Sequence, residues 1–541
     1  MSRLTAEQLA PWDFVVLDRR ATNVEEAEEA ARWGMLIGLD EGGPAREFLP
    51  YLIDTLPRLG RGTANISSTS FLERPKRVRD RFRFPLARVL FTFGGEDPAH
   101  LTVSMIRAVA GRRLFTGCDL TVVLGPAFSS GLRSAVENAV RAAGRDRLIH
   151  LVDSPNDLKE RLHRYDLVVT SFGLTCFEAL SAGVPVVLLN PTLYHRRLSV
   201  AAGIPEIGVG RPRTARLGRL INGARGRRRL TEPVERYGHR PRGDDRSLSS
   251  WLLSLKTPQQ GPGCPICTHT NAGVARFARR TYFRCRRCGL IYLLSFSAVS
   301  TRYDENYFEE EYRRQYGKTY LEDFKTIEAV GRGRLRIIER LVSGGQASGL
   351  KGRDILDVGC AFGPFLKASA DRGASPAGID VSTGAVEHVR SELGLPCEPA
   401  SFQEYEGRPV DVLTMWFVLE HLVPLQPVLA KVERLVRTGG IFAFSTPNAA
   451  GISGRTDLRR FLERSPEDHL TIWTPGTAKR ILRRYGFAVE RVRVTGHHPE
   501  RFPWPGPSSP PAGMSPLLDR ISRAARLGDT FEVYARKVRS V

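Results

Sequence analysis

Residues 354–382 constrain this chain more than any other stretch. Asp354–Val358 is an apolar strand that runs into a turn with glycines at 359 and 363. A helix follows, and a second strand over Ala377–Val381 carries Asp380. Strand, glycine turn, helix and strand in this order specify a parallel α/β unit with a ligand at the strand ends. Glycines let backbone approach that ligand, and a carboxylate ending the second strand can accept from ribose hydroxyls. A dinucleotide loop requires G-x-G-x-x-G, and Pro364 occupies the third glycine position, so the spacing does not suit NAD.

Later segments recur at regular intervals. Val410–Trp416 reads as a strand leading into Val418-Leu419-Glu420-His421-Leu422. Leu425, Val428, Leu429, Val432, Leu435 and Val436 then follow a helical period, and Thr438-Gly439-Gly440 reads as its C-cap. Strand Ile441–Ser445, Thr446-Pro447-Asn448, Asp468-His469-Leu470 and Gly486-Phe487 complete the series. The ordered set, over roughly 300–540, resembles the class I S-adenosylmethionine methyltransferases. That resemblance implies a seven-stranded Rossmann-like sheet with its sixth and seventh strands antiparallel, here Ala488–Thr495 and Thr530–Arg536. It also implies S-adenosylmethionine as cofactor. Asp357, Gly359, Ala361 and Gly363 would line its methionine and ribose side, Asp380 would hold the ribose, and Ser401 and Phe402 would flank the adenine. Glu420-His421 would open the helix after the fourth strand and face the acceptor. His421 is the first candidate base because its ordinary pKa lies near neutrality. Glu420 and His469 are the further catalytic candidates.

Two CxxC pairs, Cys264/Cys267 and Cys285/Cys288, stand 17 residues apart. Each would form a knuckle with two thiolates about 2.3 Å from one Zn²⁺. Four sulfurs leave no open position, so the expected role of the zinc is structural. The module is similar to the zinc-binding unit that precedes certain bacterial methyltransferases, several of which act on sugars. Tyr282, Phe283 and Tyr292 are expected to form its small core. Cys118, Cys176, Cys360 and Cys397 are isolated, and no disulfide is expected.

In the N-terminal region, strands over Arg88–Phe93, Leu120–Leu124 and Asp166–Thr170 lead into Gly94-Gly95-Glu96-Asp97-Pro98, Gly125-Pro126-Ala127-Phe128 and Ser171-Phe172-Gly173-Leu174-Thr175-Cys176-Phe177-Glu178. Repeated strand–glycine–helix units predict a doubly wound sheet. This set resembles the C-terminal half of GT-B nucleotide-sugar enzymes, especially the UDP-sugar hydrolase of pseudaminic acid biosynthesis. Gly94, Gly95, Thr175 and Glu178 would then contact a nucleotide sugar, with the glycines at its phosphates and Glu178 at its ribose. The first GT-B half is reduced to Trp12–Asp18, a helix and Met35–Asp40. The family's glycine loop with its catalytic histidine has no counterpart, so no catalytic residue transfers to this region.

The expected chain is therefore α/β throughout. It comprises a remnant of the first GT-B half (1–60), a GT-B-like nucleotide-sugar domain (61–245), a linker (246–262), a zinc ribbon (263–300), a helical connector (301–345) and a methyltransferase domain (346–541). At 541 residues each part has room for its own core. No run of 18 apolar residues exists, and the first residues lack a signal-peptide core. The expectation is a cytoplasmic protein without a membrane span, whose basic charge allows peripheral membrane contact.

The formal charge of +22 invites a nucleic-acid partner. However, 70 of the 80 basic residues are arginines, and they are scattered, as a GC-rich genome would produce, so no nucleic acid is expected. The leading reading is a methyltransferase acting on a sugar or glycan precursor. A bifunctional nucleotide-sugar hydrolase or glycosyltransferase with a methyltransferase tail stands second. An RNA-binding methyltransferase stands third.

Overall fold

The computed structural model describes residues 12–19, 21–58, 62–112, 114–144, 148–238, 247–298, 312–313, 317–343, 349–504 and 510–539. Among them the strands form four sheets. The first joins β1 (Phe14–Asp18), β2 (Met35–Leu39), β3 (Tyr51–Asp54) and β4 (Ile66–Ser67), all parallel and in chain order. The last two strands went unread in the sequence, because Tyr51–Asp54 is too short to show a period and Ile66–Ser67 is only a two-residue pairing.

The second sheet is parallel and doubly wound. It contains β5 (Arg88–Phe91), β6 (Asp119–Leu124), β7 (Ile149–Asp153), β8 (Leu167–Thr170), β9 (Val186–Asn190) and β10 (Glu206–Val209), in the order β10-β9-β8-β5-β6-β7. Its strands are near-continuous apolar runs because helices cover both faces, and the two faces bury separate clusters. The strand order reverses between β5 and β8, which is where such sheets open a crevice.

The third sheet is the cysteine module: β11 (Gly273–Phe277), β12 (Arg280–Arg284) and β13 (Ile291–Ser295), antiparallel. The fourth contains β14 (Asp354–Val358), β15 (Ser375–Asp380), β16 (Cys397–Pro399), β17 (Val410–Trp416), β18 (Val436–Pro447), β20 (Phe487–Thr495) and β21 (Thr530–Lys537). Its order is β16-β15-β14-β17-β18-β21-β20, and only β21 runs antiparallel to its neighbours. The expected Rossmann-like sheet with its antiparallel final pair is therefore present. The remaining short strand, β19 (Thr471–Ile472), leaves this domain to pair with β13 of the cysteine module.

Three local expectations are corrected. The helix beginning at Leu425 ends at Leu435, and Thr438-Gly439-Gly440 lies within the irregular start of β18 instead of capping the helix. Glu420-His421 does not open that helix: Leu419–His421 is a separate 3₁₀ turn. The stretch 246–262, read as linker, carries the helix Leu248–Leu253. Of the segment expected to be helical from Tyr303 to Val342, residues 303–311 and 314–316 lie outside the described residues, and the helix runs Phe324–Ser343.

Tertiary packing ties the first sheet to the cysteine module. Tyr51 Oη donates to the Ala278 carbonyl and accepts from Trp251 Nε1 at 3.1 Å. Its ring meets Phe296 edge-on at 4.8 Å, a geometry worth about 0.5–1.5 kcal/mol beyond area burial. Asn65 Nδ2 donates to the carbonyls of Phe277 and Arg280 and to Thr281 Oγ1. Arg276 is buried and donates to the carbonyls of Leu49 (2.8 Å) and Glu47 (3.2 Å). Burial and the nearby Arg46 charge lower its pKa to about 9. Ile37, Tyr51, Ile53, Trp251, Phe283, Tyr292 and the core of the fourth sheet belong to one continuous apolar cluster.

Candidate functional site

The C-terminal ends of β14, β15 and β17 lie side by side and bring the expected cofactor residues together. Gly359 and Gly363 adopt φ of +68° and +78°. A Cβ on Gly363 would lie 2.8 Å from Val389 Cγ2 and 2.9 Å from Leu393 Cδ1, so both conformation and space require glycine there. Asp380 Oδ2 accepts from the Ala361 N–H at 2.8 Å, and Oδ1 accepts from the Ser382 N–H at 2.9 Å. These bonds tie the second strand to the turn and use two of the roughly four acceptor sites of a carboxylate. Burial raises the Asp380 pKa, opposed by the N–H groups of Ser382, Ala361 and Val381. Asp357 accepts from Thr414 Oγ1 at 2.6 Å, and burial pushes it up to about 7.

Two further expected residues lie after β16. Ser401 Oγ is engaged by Glu404 at 2.7 Å, and Phe402 is buried beneath Lys431, whose Nζ donates to the Phe402 carbonyl at 3.3 Å. Both therefore shape the turn after β16, with Phe402 in the core. Sequence reading missed Tyr320. It packs beside Ala361, Phe362 and Ala385, with ring centroids 5.8 Å from Phe362 and 5.1 Å from Tyr312. Burial raises its phenol pKa, reinforced by Asp357, Tyr312, Asp380 and Cys360. The aromatic density around 312–320 was the available signal.

Glu420, His421 and His469 converge, with side-chain N and O atoms within 4.8 Å of one another. His421 Nδ1 lies 3.0 Å from the Asp468 carbonyl and 3.4 Å from its Oδ2. The imidazole tautomer that donates from Nδ1 leaves Nε2 as an acceptor. Burial opposes charge on His421, but the Asp468 bonds and the Glu420 and Asp468 charges outweigh it, so its pKa stands above the ordinary value. Burial pushes Glu420 up to about 7. His469 stands edge-on to His421 at 4.8 Å, and burial together with His421 lowers it to about 3. The Asp468-oriented His421 is thus the stronger base of the two.

The four cysteine sulfurs also lie within 4.8 Å of one another. Cys264 Sγ is 3.6 Å from Cys288 Sγ, against about 3.8 Å for edges of a tetrahedron with 2.3 Å metal–sulfur bonds. The N–H groups of Ile266 and Cys267 point at Cys264 Sγ, and that of Cys288 points at Cys285 Sγ. The donor set fits Zn²⁺.

In the second sheet, the Gly94-Gly95 turn follows β5, and Gly173 caps the helix Leu174–Ser181 that follows β8 and carries Thr175, both at the switch point. No atom lies within 4 Å of a Cβ built on Gly94. Asp97 closes the adjacent helix N-terminus by accepting from Leu101 and Thr102 N–H. Glu178 is half-buried with its pKa raised by burial, opposed by Lys159 and reinforced by Glu73, so its electrostatic neighbours lie toward residues 73 and 159.

A family model described as a methyltransferase domain matches residues 326–492. The chain is 30% identical over 192 residues to a ubiquinone biosynthesis O-methyltransferase of Methylococcus capsulatus, covering 33% of this chain and 78% of that protein. A protein of the same description from Thiobacillus denitrificans is 28% identical over 191 residues, covering 33% and 80%. A solved SAM-dependent methyltransferase from Archaeoglobus fulgidus aligns at 17% identity and a TM-score of 0.30, covering 42% of this chain and 98% of that one.

Proposed function

The chain belongs, through its C-terminal domain, to the S-adenosylmethionine-dependent methyltransferases, and from that premise we propose that it methylates a hydroxyl of a sugar or glycan precursor. Bound in a cradle at the ends of β14, β15 and β17, S-adenosylmethionine supplies an electrophilic methyl group. The protein's part is to align the acceptor and remove its proton. Asp380 would accept from the cofactor ribose, beside the positive-φ turn that Gly359 and Gly363 form. Asp468 holds His421 so that Nε2 takes the acceptor proton. Glu420 and neutral His469 orient the acceptor.

The observation that carries the reading is the His421–Asp468 pair beside the ends of β17 and β18. A hydroxyl acceptor needs such a base, and the relatives are named as O-methyltransferases. The doubly wound N-terminal domain supports a sugar-bearing acceptor. A methyl-transfer panel of UDP-, GDP- and dTDP-sugars, a catechol and RNA tests this. Label is expected in a sugar nucleotide, and label in the catechol or RNA alone would overturn the sugar assignment.

A second reading, nucleotide-sugar binding by residues 86–238, is favoured by the open glycine loop at the switch point. Read as a GT-B half, β1–β4 carry no counterpart of the glycine loop that positions the nucleophile. Weak uridine-nucleotide binding without hydrolysis is therefore expected. Release of free sugar from a UDP-sugar, abolished by Glu178→Ala, would put the bifunctional reading first.

A further inference from the structure

We infer that the four-cysteine ribbon is a wall of the acceptor side, whose metal holds the Asp468–His469 segment in register with His421. This rests on the reading of His421 as base and of the cysteines as zinc ligands. The second knuckle is the turn of the β12–β13 hairpin: Cys285 N–H donates to the Leu290 carbonyl, and Gly289 N–H donates to the Cys285 carbonyl, both at 2.9 Å. β13 then pairs with β19 through Ile291–Ile472 and Tyr292–Thr471. Leu293 N–H extends the ladder to the Leu470 carbonyl at 2.9 Å, adjacent to His469.

On its other side the same segment is gripped by the methyltransferase domain. Trp473 bridges to Asn448, and its carbonyl accepts from Ala449 N–H at 2.9 Å. The Asp468–His469 segment is thus held between ribbon and domain. Side chains reinforce the ladder. Tyr282, Ile291 and Leu293 share an apolar cluster with Leu462, Leu470 and Ile472. Arg280 donates to the carbonyls of Ser465 and Glu463, each at 2.8 Å. Both knuckles are tied to domain helices: Arg480 to the Cys288 carbonyl (2.9 Å), Arg484 to Cys267 Sγ (3.0 Å) and Gln426 to the Ile266 carbonyl (2.9 Å).

The cofactor cradle draws its bonds from elsewhere. Asp380 and Asp357 are fixed by Ala361, Ser382 and Thr414, within the fourth sheet and its turns. Hairpins are marginal alone, and metal binding at such knuckles is coupled to their folding. Loss of the metal should therefore loosen the acceptor wall and leave the cradle intact.

The test strips zinc from the full-length chain with a chelator and restores it. Amide hydrogen exchange in peptides covering 291–295 and 468–474 should accelerate about tenfold or more. S-adenosylmethionine affinity by calorimetry should stay within about twofold. Turnover of the acceptor found in the panel should fall, with the acid limb of its pH profile displaced as His421 loses Asp468. Unchanged protection at 468–474, or a parallel loss of cofactor binding, overturns the inference. Failure of the zinc-loaded chain to bind the cofactor would instead refute the cradle assignment. Should the stripped chain unfold, Arg280→Gln keeps the metal and releases the Ser465 and Glu463 carbonyls. Faster exchange at 463–470 with unchanged cofactor affinity is expected, and unaltered exchange there overturns the inference.

Discussion

Asp380→Ala is expected to weaken S-adenosylmethionine binding by about two to four orders of magnitude. Two ribose hydroxyls would donate to the carboxylate, and each hydrogen bond to a charged group contributes about 1.5–3 kcal/mol, at about 1.4 kcal/mol per tenfold in affinity. Alanine also leaves the Ala361 and Ser382 N–H groups without the acceptor that joins turn to strand, so the effect should lie toward the larger end. Asp380→Asn retains one carbonyl oxygen but turns an NH₂ toward one of those donors, and an intermediate loss is expected. Calorimetry on both variants measures the difference, and unchanged affinity in Asp380→Ala would remove the cradle assignment.

His421→Ala is expected to lower kcat by about 10²–10⁴-fold, the usual range for a positioned base, with cofactor affinity unchanged. The pH dependence carries the sign. The base must be deprotonated, and its pKa is raised by Asp468 and Glu420 against the opposing effect of burial. In the wild type, kcat/KM should therefore rise with pH through an acid limb above the ordinary histidine value of about 6.5. Asp468→Asn removes a negative charge that favours the protonated ring, so the limb should move to lower pH while the maximum rate falls. A limb that stays in place in Asp468→Asn would mean that another group carries the proton.

The strand–turn–helix geometry around Gly359 and Asp380 was legible because it is local. A glycine turn, a strand and a carboxylate at fixed spacing leave little freedom, and Gly359, Gly363 and Asp380 occupy the positions their types demanded. Tyr320 was not legible, since an aromatic approaching from outside the repeating unit has no fixed offset from the turn. Ser401 and Phe402 were assigned by order along the chain, and the Lys431 bonds to the Phe402 and Gln403 carbonyls that fix this turn could not be read from it. The pairing of β19 with β13 could not be read either. Two residues show no period, and the partner strand lies far away in sequence. The convergence of Asp468 on His421 likewise depends on tertiary structure, although both residues stood in recognised segments.

The first sheet is completed by residues that follow it only after a long interval. One of its faces packs against Trp251, Phe283, Tyr292 and Phe296, while the doubly wound sheet lies between them in the chain. At translation rates of about 5–20 residues per second, β1–β4 wait roughly 10–45 s for that cover. During synthesis Phe14, Met35, Ile37 and Tyr51 present an apolar surface with no partner yet made. The nascent chain should accordingly depend on chaperones at this stage, and a fragment ending before residue 247 should aggregate through its first sheet even though its larger domain has a complete core.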